Sequence, residues 1–297
     1  MTPKARLTGV FLVDKPEGLT SFGVVSIVRR SSGARRCGHT GTLDPFATGL
    51  LLVCVGGATR LARFLGEGLK TYRAVVRFGW GTDTYDRTGR PVGEPVEIPV
   101  EADAIRPLLD GFLGVQLQVP PPFSAKKRDG ERLYRLARQG KPVIAEPVPV
   151  YFEAVRLERV DGSRAEIELT VGSGTYVRSF AHELGIRAGT GAHLESLRRT
   201  RIGSFRVEDA LGLDALERLR DEGRLSDALL APVDALPDLP LLTLTGDDAI
   251  RARHGQSLPA PGGARPGQNY RLVDPTGALV AVAVASESGV RPAVVLA

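Results

Sequence analysis

The sequence predicts an α+β fold in which strands and helices are interspersed, followed by a small all-β segment at the C-terminus. Three observations carry this. Several short runs alternate apolar and polar residues, as a half-buried strand requires. Between them lie capped stretches whose apolar residues recur at helical spacing. After the Pro-rich junction APVDALPDLP (231–240) the helical spacing gives way to short apolar runs divided by Gly and Pro. A chain of 297 residues suits one large domain, or a catalytic domain with a small appendage, and 42% hydrophobic content is enough to build a core.

Taken in order, residues 9–13 (GVFLV) read as a short buried strand closed by the Asp14–Gly18 turn. Thr20 or Ser21 caps an amphipathic helix to about Arg30, with Phe22, Val25 and Val28 at helical spacing. Residues 33–48 form a Gly/Thr-rich loop with no period, Leu50–Val55 is a wholly apolar strand, and Ala58–Leu65 a short helix. In 71–78, Tyr72, Ala74, Val76 and Phe78 make the apolar face of a strand. A Gly/Asp-rich loop (79–93), a helix near 101–110 and a strand near 113–118 follow, and three consecutive prolines (120–122) end that strand. Residues 123–141 read as a basic turn and helix inserted before a strand pair (148–159 and 164–171), a helix from about Tyr176 to Arg187, and a strand at 196–206. The acidic stretch 207–230 reads as surface helices, and 241–297 as short strands with Gly/Pro turns.

Charge and special residues narrow the function classes. The formal net charge is +5 but unevenly spread: residues 1–73 hold 11 basic and 4 acidic side chains, 123–141 hold 7 and 2, 182–206 hold 5 and 2, and 207–248 hold 3 and 11. Three basic clusters are either solvated faces or, if they converge, a footprint for a polyanion. Arginine outnumbers lysine 33 to 6, which suits phosphate recognition. Two cysteines, Cys37 and Cys54, cannot make a disulfide framework and read as reduced thiols in the cytoplasm. No segment approaches the ~20 apolar residues of a membrane span, and the N-terminus does not read as a signal peptide. The four histidines and two cysteines lack metal-ligand spacing, Gly66–Thr71 has the wrong spacing for a Walker loop, Gly172-Ser173-Gly174 lacks the flanks of a hydrolase elbow, and no Rossmann fingerprint is present. We therefore expect no metal and no cofactor.

One loop stands out, residues 38–49, GHTGTLDPFATG. Gly38, Gly41 and Gly49 permit unusual backbone angles, and Pro45 restricts Asp44 to extended conformations. A carboxylate on a stiff loop feeding a buried strand reads as a catalytic group or as a structural turn residue, and spacing alone does not separate the two. GHTGTLDPFATGLL, however, resembles the active-site motif of tRNA pseudouridine synthases of the TruB type. VDKPEGLTS (13–21), KTYRAVVRFGWGTDTYDRTG (70–89), PPPFSAKKRDGERLYRLARQGK (120–141) and GSGTYVRSFAHELG with GAHLESLRRTRIGSF (172–205) resemble further blocks of that family in the same order. The resemblance covers nearly all of residues 9–210.

It implies a mixed, largely antiparallel sheet of the pseudouridine-synthase type with flanking helices. The implied reaction converts the uridine at position 55 in the T arm of tRNA to pseudouridine. Asp44 would be the nucleophile, acting at C1′ or C6 or assisting elimination at C2′. Tyr72 would stack on the flipped-out base and serve in proton removal at C5. Arg178 would pair with the aspartate, and Asp86 would contact that arginine. Tyr176 and Leu197 would line the uracil pocket, His39 would contact the flipped nucleotide, and Lys15 joins the substrate-binding set. Lys126, Lys127, Arg128, Arg132 and Arg135, in the insertion, would contact phosphates. The implied organisation is a catalytic domain over 1–235 and a PUA-like RNA-binding domain over 241–297. The expected partner is tRNA alone, with no membrane and no protein partner, in a cytoplasmic monomer.

From the residues alone, Tyr72 reads equally as a core aromatic, Asp86 as a turn residue and Leu197 as packing. Three rivals follow. A glycoside or nucleoside hydrolase would pair Asp44 with Asp83 or Asp86 and release free base. An RNA-binding or RNA-folding protein would need no activity. A pseudouridine synthase of the larger, guide-RNA-dependent type would act on another RNA; the short C-terminal segment favours the bacterial stand-alone type.

Overall fold

The computed structural model describes residues 7–122, 127–128, 131–132 and 146–296, the two short stretches by backbone alone. In chain order the strands and helices are β1 (Gly9–Lys15), α1 (Ser21–Ser32), β2 (Cys37–His39), β3 (Thr48–Val55), α2 (Ala62–Gly66), β4 (Lys70–Phe78), β5 (Gly81–Thr82), β6 (Pro91–Val92), α3 (Ala102–Asp110) and β7 (Gly114–Gln118). Then come β8 (Lys127–Arg128), β9 (Glu131–Arg132), β10 (Val148–Asp161), β11 (Arg164–Val171), α4 (Val177–Arg187), β12 (Ala192–Ile202), β13 (Phe205–Arg206), α5 (Leu213–Asp221), β14 (Leu241–Thr243), α6 (Gly246–Arg253), β15 (Asn269–Val273), β16 (Leu279–Ser286) and β17 (Gly289–Val295). They fall into two compact units, one of residues 1–45, 49–67 and 203–297, the other of residues 46–48 and 68–202.

In the first unit β3 pairs antiparallel with both β1 and β2. Its apolar run packs with α1 and α5, burying Phe11, Val24, Val28, Leu51, Val53 and Leu216 in one cluster. Thr20, not Ser21, caps α1: its hydroxyl accepts from Gly23 N at 2.9 Å. After β13 the chain returns along β1, where Leu211 N donates to Leu12 O (2.9 Å) and Val10 exchanges two bonds with Leu230. The C-terminal residues form a four-stranded sheet in the order β14-β15-β16-β17, with β14 parallel to β15 and the other pairings antiparallel. Helix α6 packs against it through Ala249 and Ala252. The Arg271 guanidinium, on β15, donates to the carbonyls of Val233 (2.9 Å), Leu239 (2.8 Å) and Pro237 (3.5 Å) in the Pro-rich junction.

The second unit is an antiparallel sheet in the order β12-β4-β11-β10-β7. β4 keeps the alternation read from the sequence, with Tyr72, Ala74, Val76 and Phe78 all buried. Helices α3 and α4 pack on it around Phe112, Phe152 and Phe180, whose ring centroids lie 4.6–5.9 Å apart. Two short pairs, β5–β6 and β8–β9, lie off this sheet.

Four features differ from the sequence reading. The loop expected over 79–93 contains the short pair β5–β6. The loop expected over 33–48 contains β2, a three-residue strand too short to show a period. β12 begins at Ala192, four residues early, where it pairs with Phe78 of β4; the polar His193 that follows turns inward, its Nδ1 3.1 Å from Trp80 O. The C-terminal segment holds a helix, α6, whose Thr245 cap accepts from Asp248 N at 3.2 Å.

The turn from α4 into β12 is tight at Gly185, where an added Cβ would lie 2.1 Å from Ala192 N and 2.5 Å from Ala192 Cβ. Helix propensity favours Gly185→Ala by about 1 kcal/mol, but overpacking against fixed backbone costs about 1–3 kcal/mol. We expect the contact to win, with Gly185→Ala losing up to about 2 kcal/mol in urea unfolding; a gain in stability would show that this turn yields.

Candidate active site

The first unit carries the Asp44 loop, and the segment before and into α1 fixes that loop on both sides of the carboxylate. Ahead of Asp44, the Ser21 hydroxyl accepts from Leu43 N (2.8 Å) and donates to Leu43 O (3.1 Å). Behind it, Pro45 O accepts from Gly18 N (2.8 Å) and from Lys15 Nζ (3.3 Å). Lys15 is fully buried, and its ammonium also donates to Leu19 O (2.7 Å) and Pro16 O (2.9 Å). Three carbonyls thus solvate a charge that burial would otherwise penalise heavily. Asp44 itself is half-buried. Of the three loop glycines singled out in the sequence, Gly49 alone takes a positive φ, +103°. His39 closes β2 opposite Val53, and Thr40 N donates to Leu52 O at 3.2 Å.

The second unit carries the other side chains. Between β5 and β6 the segment TDTYDRTG folds around the Asp86 carboxylate. Oδ1 accepts from the Thr84 hydroxyl (2.9 Å), from Thr88 N (2.9 Å) and from the Thr88 hydroxyl. Oδ2 faces Arg178 Nη1 at 3.5 Å, and the same nitrogen donates to Thr84 O at 3.1 Å. Arg178 and Asp86 are 6% and 4% exposed, so the pair is buried and hydrogen-bonded at both ends. Gly89 is required here, since an added Cβ would meet Thr84 Oγ1 at 2.3 Å. Arg178 is the second residue of α4, and Tyr176 is that helix's N-cap position. Gln118, from β7, clamps Tyr176: Tyr176 N donates to its Oε1 (2.8 Å) and its Nε2 donates to Tyr176 O (3.1 Å). Tyr72 lies on β4 between Leu169 and Arg199, and Leu197 opposes Ala74. Lys126 lies outside the described residues, as does Arg135; for Lys127, Arg128 and Arg132 the backbone alone is described.

Residues that sequence reading did not single out complete this framework: Ser21, Thr84, Gln118 and Lys70. Lys70 shares the buried face of β4 with Tyr72, two residues away. Its ammonium donates to Ser173 Oγ (2.6 Å) and Gly68 O (3.3 Å). Burial, and then the nearby Arg199 charge, push its pKa down to about 8. Among the described residues no group of three or more His, Cys, Asp and Glu side chains could hold a metal ion, and no helix is long and apolar enough to cross a membrane.

Comparison with known proteins bears on this arrangement. The N-terminal domain of the TruB family pseudouridylate synthases matches residues 29–177, and the tRNA pseudouridylate synthase B C-terminal domain matches 178–236. A relative from Solibacter usitatus named tRNA pseudouridine synthase B is 43% identical over 278 residues, spanning 93% of this chain and 95% of the relative. One of the same name from Aromatoleum aromaticum is 45% identical over 257 residues, 86% of this chain and 82% of the relative. In three dimensions the chain is similar to a chain of the archaeal box H/ACA sRNP Nop10-Cbf5 complex, with 25% identity, a TM-score of 0.75, and coverage of 97% of this chain and 86% of that one. The matched domains and the named relatives, with the fold, define the class: a pseudouridylate synthase, an enzyme that isomerises uridine within RNA. Within that class the chain belongs to the TruB family.

Lys70 gives this region a pH signature. Between about pH 8 and its ordinary value of 10.5, the folded protein holds fewer protons at this site than the unfolded chain. Stability from this group therefore rises with pH across that window, and below about 8 the desolvation cost is felt in full. We expect the stability difference between the natural protein and Lys70→Met to move in favour of lysine from pH 8 to 10.5. A flat difference in chemical unfolding across that range would refute the lowered proton affinity.

Proposed function

We propose that this chain isomerises the uridine at position 55 in the T arm of tRNA, with Asp44 as the nucleophile. The observation that carries the reading is the buried Arg178–Asp86 pair, whose 3.5 Å contact leaves a guanidinium fixed at the start of α4. Such a fixed cation suits a carboxylate that must stay ionised in a desolvated site. The name that these relatives carry, tRNA pseudouridine synthase B, supports tRNA as the substrate.

The chemistry asks for little beyond these groups. The N1–C1′ bond breaks, the uracil turns, C5 bonds to C1′, and the proton on C5 leaves while N1 gains one; nothing is oxidised and no water is consumed. Asp44 supplies the nucleophile, and Arg178 keeps it ionised. A base within a folded arm must be flipped out to react, and Tyr72 supplies an aromatic face for it and assists at C5. Tyr176 and Leu197 line the uracil pocket, and His39 contacts the flipped nucleotide. Lys15 contributes by holding the Asp44 loop, given its buried ammonium and three carbonyl partners. We assign catalysis to residues 1–235 and an RNA-binding, PUA-like role to 241–297. The enzyme works in the cytoplasm as a monomer, without a protein partner.

Two measurements test this. Asp44→Asn is expected to bind T-arm RNA with unchanged affinity while pseudouridine formation falls to background, and turnover well above background would sink the assignment. Neutralising Lys126, Lys127, Arg128 and Arg132 together should weaken RNA binding and reduce the slope of log K against log[salt] by up to about 3. An unchanged slope would mean that these charges do not meet phosphate.

A further inference from the structure

The loop that holds Arg178 contains one residue whose conformation calls for explanation. Tyr85 has φ +64°, and among the described residues it is the one non-glycine with a positive φ. A side chain with a Cβ is disfavoured there, and a bulky aromatic more so than Asn or Asp. Something must hold it, and three contacts do. Its N–H donates to Thr82 O at 3.2 Å. Its carbonyl accepts from Leu194 N at 3.0 Å, beside the bridge between Asp86 and Leu194. Its ring stacks on His182, with centroids 3.8 Å apart and planes 6° from parallel.

That stack joins the two ends of the Arg178 arrangement. Tyr85 stands between Thr84 and Asp86, whose carbonyl and carboxylate respectively receive Arg178 Nη1. His182 stands four residues after Arg178 on α4, one helical turn along the same face. We propose that Tyr85 is a positioning residue for the isomerisation: its ring, stacked on His182, locks the 82–89 loop to α4 so that Thr84 and Asp86 aim the Arg178 guanidinium. Burial lowers the His182 pKa, which favours its neutral imidazole. The hydroxyl of Tyr85 plays no part in this account; the ring face does.

The inference rests on Arg178 acting in the reaction as proposed above, and the experiment separates the two. Tyr85→Phe keeps the ring. Tyr85→Gly removes it while relieving the positive φ, at the entropic cost a glycine brings, which thermal unfolding reads. His182→Ala removes the partner. The measurements are single-turnover pseudouridine formation in saturating T-arm RNA, RNA affinity, and thermal unfolding. Tyr85→Phe should react at the natural rate. Tyr85→Gly and His182→Ala should each slow the reaction about tenfold with RNA affinity unchanged, as loss of alignment predicts. The double variant should be no slower than the slower single, because both remove one interaction.

Natural rates for Tyr85→Gly, equal losses for Tyr85→Phe and Tyr85→Gly, or multiplying losses in the double variant would each overturn the proposal. So would a slow Tyr85→Gly whose RNA affinity and melting temperature fall together, since that marks a structural role only. Arg178→Lys is the control: if it reacts at the natural rate, the reading of Arg178 fails whatever Tyr85 does. If Arg178→Lys is slow and Tyr85→Gly is not, only the role of Tyr85 falls.

Discussion

A lysine with no exposed surface sets the conditions for the Asp44 loop. An ammonium removed from water is tolerated only where donors find acceptors, and Lys15 finds the carbonyls of Pro16, Leu19 and Pro45. Those carbonyls come from the turn after β1 and from the residue following Asp44, so satisfying one charge fixes the distance between two loops. β1 and β3 pair from Gly9↔Val55 to Lys15↔Gly49, which brings the last strand residue to the base of the Asp44 loop. Ser21 completes the fixation from the other side through both backbone groups of Leu43. An apolar residue of similar length at position 15 would fill the space and leave the carbonyls without this donor.

In the second unit the same economy appears with opposite sign. A buried carboxylate would be a liability, yet Asp86 divides its oxygens: one saturated by Thr84 and Thr88, the other turned to Arg178. Replacing such a pair with apolar side chains is often neutral or stabilising, so stability alone does not explain it. Its effect is directional. The guanidinium is bound to the loop through Thr84 O as well as Asp86, which leaves it little rotational freedom.

Much of this was legible in the sequence, for identifiable reasons. The alternation of β4 and the apolar run of β3 announce strands because their faces are consistently buried. Asp44, Asp86 and Arg178 stand out through the resemblance to a family's motifs, since spacing alone leaves Asp44 and Asp86 equally readable as turn residues. What stayed hidden depends on partners far away in the chain: Lys70 on Ser173, Gln118 on Tyr176, and Ser21 on Leu43. Nothing local distinguishes a glutamine that clamps a helix start from one that faces water. α6 is a different case, since Thr245, two aspartates and a closing arginine spell out its ends, but they sit among residues patterned as strands and turns.

Arg271 bears on how this chain could be rebuilt. The stretch 231–240 has the composition of a tether, yet one guanidinium gathers the carbonyls of Val233, Pro237 and Leu239 while the backbone of the same residue donates to Pro240 O at 2.8 Å. The junction is thus stitched to β15 rather than strung between two bodies. A C-terminal module exchanged by recombination at this point would arrive without that arginine in register, and three carbonyls would lose their side-chain donor at once. The seam that looks most like a place to cut is one where a graft must bring its own fastening.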